Sequence, residues 1–348
     1  MLSLLRPCSL SRIVGVYAAS RKLCSAEPTR AVLEKHRTPA EGQWPRVLSV
    51  RLPCSLRIGP VDAMDADAVS VSLVGSPESQ LRPTLKLGRE DDSLTLIMSG
   101  AESKDLDGLL CCVRLPATLS VKVHLSGKAQ ATLENLVLDQ CMVTTEDGDI
   151  ALSSVKTNKA ELCTLDGWIR SKSLLQGHLS LTSKGSGGLE AQRLVGTSLE
   201  VSTSSGDQTV AAAYVERATM VSMGGSLRLG TLHSCSAALK TSSGSVSLGG
   251  LDGDCSVLTD SGDIHVVVAR TQNLDVDTNT GDVSVLLSSP HQVSVDADSV
   301  SSSLDASMTQ AEPSGDVGRI AIRSRVGSVS LSKQDWVTSL NLGARGSS

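Results

Sequence analysis

The sequence predicts an all-β protein: a single-chain β-solenoid, parallel β-helix-like, with coils of about 18–21 residues, preceded by an irregular β cap and a targeting segment. Three observations predict it. A glycine-centred motif recurs nine times, at Gly127, Gly148, Gly167, Gly188, Gly206, Gly225, Gly244, Gly262 and Gly281, in steps of 18–21 residues. Runs beside these glycines alternate apolar and polar residues with the period of two that a strand imposes, as in Leu199-Glu-Val201-Ser-Thr203 and Leu274-Asp-Val276-Asp-Thr278. Hydrophobic residues make up 40% of the 348 but aromatic residues only 1%, so the core is built from Val, Leu, Ile, Ala and Met, which stack like upon like.

Residues 1–24 read as a mitochondrial presequence. Arg6, Arg12, Arg21 and Lys22 are the charges there, and no acid precedes Glu27. Coiled as a helix, the stretch sets Leu2, Leu5, Ile13, Val16 and Tyr17 opposite Arg12. Its uninterrupted apolar run is short for a secretory signal, and Arg21-Lys22 occupies the place where small residues precede secretory cleavage. Cleavage is expected near Lys22 or Leu23, and the expected location is mitochondrial, the matrix favoured over other compartments. Residues 25–45 mix charge, proline and glycine without periodicity and read as a linker.

Residues 46–115 are expected to form a β-rich cap. Short alternating runs such as Val69-Ser-Val71-Ser-Leu73 lie between turns such as Gly75-Ser-Pro77, at irregular spacing. A cap is needed because a solenoid's open end exposes an unpaired strand edge. The repeat domain is expected across 116–332, two short strands per coil flanking each glycine corner. Gly is required there by positive φ or by lack of room for a Cβ, and adjacent Asp and Ser bond the turn's amides. Ser299 to Ser314 reads as a polar loop, a last coil forms around Gly327, and 333–348 is a C-terminal tail.

Val113-Arg-Leu115-Pro116, then Leu119-Ser-Val121-Lys-Val123, Ser126-Gly127 and the later Ser/Thr-Gly-Asp-Ile/Val turns form a pattern. It resembles the adhesin-type domain of unknown function, common in bacteria and associated with β-solenoids. The resemblance spans about residues 46–332, most clearly 113–285. It implies a fold and supplies no catalytic or ligand residues for these positions.

The remaining chemistry is sparse. The net charge of −5 gives no basic footprint for nucleic acid, and the aromatics that stack single strands are missing. No run approaches the 18 apolar residues of a transmembrane helix. Cysteines 54, 111, 112, 141, 163, 235 and 255 are odd in number without C-x-x-C spacing, and read as small core residues. Histidines 124, 178, 233, 265 and 291 read as surface residues. Lys184-Gly-Ser-Gly-Gly188 lacks Walker spacing. Consecutive turn carboxylates, Asp263 and Asp282, are the one start of a Ca²⁺ ladder, and turn chemistry explains them better. No cofactor and no metal are expected.

Two functions follow. The favoured one is a non-enzymatic binding or scaffold protein with an unknown protein partner, whose interaction surface includes Trp168, at a turn position that is mostly polar in the other coils, and the Asp260, Asp263 and Asp282 edge. The alternative is a carbohydrate-active β-helix enzyme, a lyase or hydrolase using paired carboxylates drawn from Asp252, Asp254, Asp260 and Asp263 with His265 nearby. A groove holding two acids separates the second from the first. The sequence leaves oligomeric state open.

Overall fold

The computed structural model describes residues 31–39, 46–61, 68–76, 83–90, 92–99, 106, 108–116, 119–304 and 318–334. Among them are twenty strands and no helix. The presequence segment 1–24, Trp44, Trp336 and most of the tail lie outside the described residues. The protein is an all-β solenoid, as its repeats predict.

The body consists of seven strands of fifteen or sixteen residues that stack parallel in sequence order: β9 (Ala131–Thr145), β10 (Ile150–Thr164), β11 (Ile169–Ser183), β12 (Leu189–Thr203), β13 (Gln208–Ser222), β14 (Leu227–Thr241) and β15 (Val246–Ser261). Each is continuous where two short strands per coil were expected. The alternation inside it slips phase twice: in β10, burial falls at 150 and 152, then 155 and 157, then 160, 162 and 164. The chain therefore bends at two corners without leaving its ladder, and the glycine turn makes the third. Asn135 and Ser154, directly above one another at the first corner, take φ of 54° and 57° to make the bend.

The core is a set of columns. Ile150, Ile169, Leu189, Gln208, Leu227, Val246, Ile264, Val283 and Val329 lie in register, none more than 1% exposed. Each apolar member contributes roughly 1.5–3 kcal/mol of burial. A one-residue slip would turn every inward side chain outward, so the pattern pins the register. Gln208 is the exception in its column. Its Nε2 donates to Thr203 Oγ1 at 3.0 Å and to the Val221 carbonyl at 2.7 Å, while Oε1 is buried without a partner.

At the third corner the glycines approach the coil below so closely that a side chain has no room. A Cβ on Gly167 would lie 2.2 Å from the Gly148 carbonyl oxygen, on Gly225 2.1 Å from that of Gly206, and on Gly244 2.1 Å from that of Gly225. The column runs Gly148, Gly167, Gly187, Gly206, Gly225, Gly244, Gly262, Gly281, Gly327. This corrects two members of the expected column. Gly187 rather than Gly188 stacks on Gly167, because the Lys184–Gly188 turn carries an extra residue, and Ala129 supplies the carbonyl below Gly148 where Gly127 was expected.

Both ends depart from sequence order. The N-terminal strands are β1 (Ala31–Pro39), β2 (Val47–Leu52), β3 (Ser55–Pro60), β4 (Ala68–Gly75), β5 (Thr84–Glu90), β6 (Ser93–Ser99), β7 (Leu110–Leu115) and β8 (Ser120–Leu125). β2 lies between β6 and β8, and β3 between β7 and β9, all parallel. Antiparallel β4, β1 and β5 close the outside. The expected linker 25–45 thus contains a strand; its alternation is hidden because β1 sits at the edge, with charged and exposed side chains.

The C-terminal strands are β16 (Ile264–Arg270), β17 (Asn273–Thr280), β18 (Val283–Leu287), β19 (Gln292–Ser302) and β20 (Arg319–Lys333). β20, last in sequence, is slotted between β17 and β18 on one side and β19 on the other. Residues 299–302 of the expected loop are therefore strand, held by Val300 opposite Val329.

The close approach at the corner makes a direct test. Gly225→Ala is expected to cost about 1–3 kcal/mol through overpacking, because the obstacle is backbone. Gly224→Ala, next to it, meets nothing nearer than 3.8 Å and should lie within about 0.5 kcal/mol of wild type. Urea unfolding midpoints of the two variants read the difference.

Candidate functional site

Each coil ends its long strand on a buried hydroxyl: Thr145, Thr164, Ser183, Thr203, Ser222, Thr241, Thr259, Thr278 and Ser324, none more than 4% exposed. Most of these satisfy the glycine corner; Thr259 Oγ1 is buried without a partner. Thr145 Oγ1 donates to the Gly148 carbonyl at 2.7 Å, Thr203 Oγ1 to that of Gly206 at 2.8 Å, and the Gly225 amide donates to Ser222 Oγ at 2.8 Å. The ladder was legible: Ser or Thr stands three residues before every stacked glycine except Gly187.

The corner carboxylates have comparable work. Asp149 Oδ1 accepts the Trp168 amide at 2.8 Å, Asp207 the Ser226 amide at 2.9 Å, and Asp263 the Asp282 amide at 3.0 Å. Asp282 accepts the Ser328 amide and hydroxyl at 2.8 and 2.7 Å, and these bonds hold its carboxyl below the usual range. Asp260 accepts Asn279 Nδ2 at 3.3 Å. Every one of these bonds ties a coil to its successor. Among the described residues no three of His, Cys, Asp and Glu gather as a metal site. Trp168 is half-buried; its ring covers Gly188, where a Cβ would lie 2.9 Å from the indole, and Arg170 stacks on it with its guanidinium carbon 5.2 Å from the ring centre. The absent side chain of Gly188 makes room for the indole.

The acids suspected of working as a pair fall into two groups, and only Asp252 and Asp254 share a groove. Asp252 and Asp254 lie at the second corner, Asp260 and Asp263 at the third, and His265 on the outer side of β16. At the second corner the structure shows what the sequence did not suggest, a groove of about 740 Å³ across five coils. Tyr214, Glu216, His233, Cys235, Asp252, Asp254 and Arg270 line it. Its origin is local. From Val246 the chain reaches the third segment at Cys255, one residue sooner than β14 does from Leu227 to Ala237, so less chain fills this corner. Here also the β14–β15 register shifts between His233 and Ser236. Gly253 turns at φ 119°, and its Cβ would lie 1.6 Å from the Ser234 carbonyl oxygen.

Tyr214, His233, Asp252 and Arg270 form one row, one per coil. His233 Nδ1 lies 2.8 Å from Asp252 Oδ2, and Arg270 Nε and Nη2 donate to Asp252 Oδ1 and Oδ2 at 3.1 Å each. The Tyr214 and His233 rings are 6.3 Å apart and tilted by 39°. The Arg270 bonds, with help from His233, hold the Asp252 carboxyl below its ordinary range despite partial burial. Partial burial works against Asp254, but bonds from the Asn273 side chain and amide and the Gln272 amide outweigh it, and its pKa too is lowered. Neither acid is tuned to donate a proton near neutrality.

The thiols and imidazoles refine the expectation. Cys54, Cys111, Cys141 and Cys255 are buried, and burial pushes Cys54 up to about 11 and Cys141 and Cys255 to about 12, leaving them inert core groups. Cys235, against expectation, is exposed in the groove wall, at the outward corner position that Asn158 holds in β10 and Glu216 in β13. His291, expected at the surface, is only 2% exposed, its Nδ1 2.7 Å from the Ser289 carbonyl.

The fold defines a class, the single-chain parallel β-solenoid. A family model described as the Toastrack DUF4097 domain matches residues 171–330. Solved structures similar to the chain include a candidate lipid binding protein from Parabacteroides distasonis, 13% identical, covering 86% of this chain and 97% of that one with a TM-score of 0.37. A candidate adhesin from Parabacteroides merdae is 12% identical over 86% and 95% of the two chains, with a TM-score of 0.37. Another from Bacteroides fragilis is 12% identical over 86% and 97%, with a TM-score of 0.27.

The lowered carboxyls predict how stability depends on pH. Asp207 (chiefly through the Ser226 amide), Asp252, Asp254 and Asp282 all titrate lower folded than unfolded. As pH falls the unfolded chain therefore binds protons first, and this stability is present above about pH 4 and lost as pH falls through the folded values. Melting temperatures should be flat with respect to these groups between about pH 7 and pH 5 and fall below about pH 4, and Asp252→Asn should flatten part of that fall.

Proposed function

We propose that this protein is a non-enzymatic binding or scaffold protein of mitochondria that acts on a protein partner. The observation that carries the binding reading is the corner groove: an open trough of mixed apolar and charged lining on a wall of stacked strands. Trp168, half-buried beside Arg170, offers a second contact. The carboxylates of Asp260, Asp263 and Asp282 serve the stack first, which ranks that edge below the groove as a partner surface. The groove does hold two acids, the feature expected of the enzyme, but Asp252 and Asp254 are both held below the usual carboxylate range, whereas glycoside hydrolysis needs one carboxyl raised.

The compartment rests on the acid-free, arginine-bearing start of the chain. N-terminal sequencing of the endogenous protein should find residues 1 to about 22–24 removed; a chain beginning at Met1, or one carrying secretory glycans, would remove the mitochondrial assignment. Proximity labelling in mitochondria, comparing wild type with Trp168→Ala, Asp263→Asn/Asp282→Asn and Tyr214→Ala/Glu216→Gln, tests the binding role. A stable neighbour lost in at least one variant is the expected outcome. No neighbour in any of them, with turnover of a polysaccharide by the purified protein, would hand the case to the enzyme.

A further inference from the structure

The groove's groups divide into those already used and those left over. Asp252 is neutralised by Arg270 and held by His233. Asp254 bonds only neutral amides, so among the described residues its negative charge has no cation beside it. Glu216 is exposed on the wall, and its carboxylate makes no ion pair or hydrogen bond among the described residues. Tyr214 keeps 43% of its surface in solvent at the same end. Beneath them Ser234, only 4% exposed, lines the groove with its hydroxyl unpartnered. The trough thus offers two uncompensated carboxylates and an aromatic face.

We infer that the groove takes an extended basic segment of a partner protein, laid along the solenoid axis with two cationic side chains on Glu216 and Asp254 and its chain over Tyr214 and His233. The inference rests on the binding role proposed above and names its ligand. Glu216 and Asp254 stand two coils apart, about 10 Å at the interstrand spacing, which three residues of a polyproline-II-like extended chain span at about 3.1 Å each while keeping side chains i and i+3 on one face. An exposed tyrosine ring attracts a guanidinium or ammonium group. A neutral sugar would desolvate both carboxylates without replacing their lost hydration by opposite charge, and a polyanion would be repelled. Strand addition is closed here, because the backbones of β13, β14 and β15 are paired on both sides. The segment is therefore recognised through its side chains.

A positional-scanning library of extended decapeptides, presented to the full chain, tests this. Enrichment of sequences with two Lys or Arg about three residues apart is expected. Glu216→Gln with Asp254→Asn should weaken the selected peptide roughly tenfold or more and reduce its salt dependence. The side-chain carbonyl retained at 254 still accepts the Gln272 and Asn273 amides, and Glu216→Gln alone, at an unbonded exposed position, should give a smaller loss with an unchanged melting temperature. Glu161→Gln/Glu200→Gln, on a different segment of the coil, should leave affinity unchanged. Selection of no basic sequence, equal affinity in the groove variants, or binding of neutral oligosaccharides on a glycan array in their place would overturn the inference. A partner found by proximity labelling and lost only in Trp168→Ala would leave the binding role standing while removing this ligand.

Discussion

Backbone meets backbone at the third corner, and the geometry of that contact sets the repeat. With a Cβ held 2.1 Å from the carbonyl below at Gly206, Gly225 and Gly244, only glycine lets successive coils close to strand spacing. Once they close, the turn's amides and carbonyls leave water, and each needs a partner. The buried Thr and Ser column supplies some, and the corner aspartates supply others from the coil below. Glycine, hydroxyl and carboxylate are thus one device. Removing the side chain from one residue creates the polar demand that two others meet.

Regularity of the corner also explains the irregularity of the groove. Apolar columns and glycine corners hold two parts of each coil in fixed register, so a coil one residue short must lose that residue elsewhere. The coil starting at Val246 loses it at the second corner, beside Asp252 and Asp254. Unengaged polar groups such as Glu216 collect where the repeat is broken, because unbroken columns consume their polar groups internally. Asp263 and Asp282, which look reactive as sequence, are consumed in this way.

The fold was legible because it is written many times over. Period-two runs and glycines in near-constant steps each repeat enough to survive local exceptions. What escaped was either single or non-sequential. Gln208 occupies a column of Ile, Leu and Val, and only alignment of the copies reveals that it is buried. Gly187 displaced Gly188 because one added turn residue leaves the choice to three-dimensional stacking. β1 lacked alternation because an edge strand need not bury one face. The groove was the least legible feature: Tyr214, His233, Asp252 and Arg270 stand 18 or 19 residues apart, and nothing marks them as neighbours until the coils are stacked. Trp168 could be singled out by its type at a turn position, but not its seat on Gly188.

The interleaved ends bear on how the chain reaches this structure. Through β9 to β15 every coil rests on the one just made, and such nearest-neighbour stacking can proceed as the chain emerges. The termini cannot follow that order. β3 finds β9 only across about seventy-five residues, since Leu56 pairs with Ala131, and β19 waits for a strand that is synthesised after it. Assembly is therefore expected to begin in the middle and to finish at both ends by long-range closure, the slower kind of event. Until then two unsatisfied edges remain open to other chains, and a chaperone would have its longest hold on this protein at those edges.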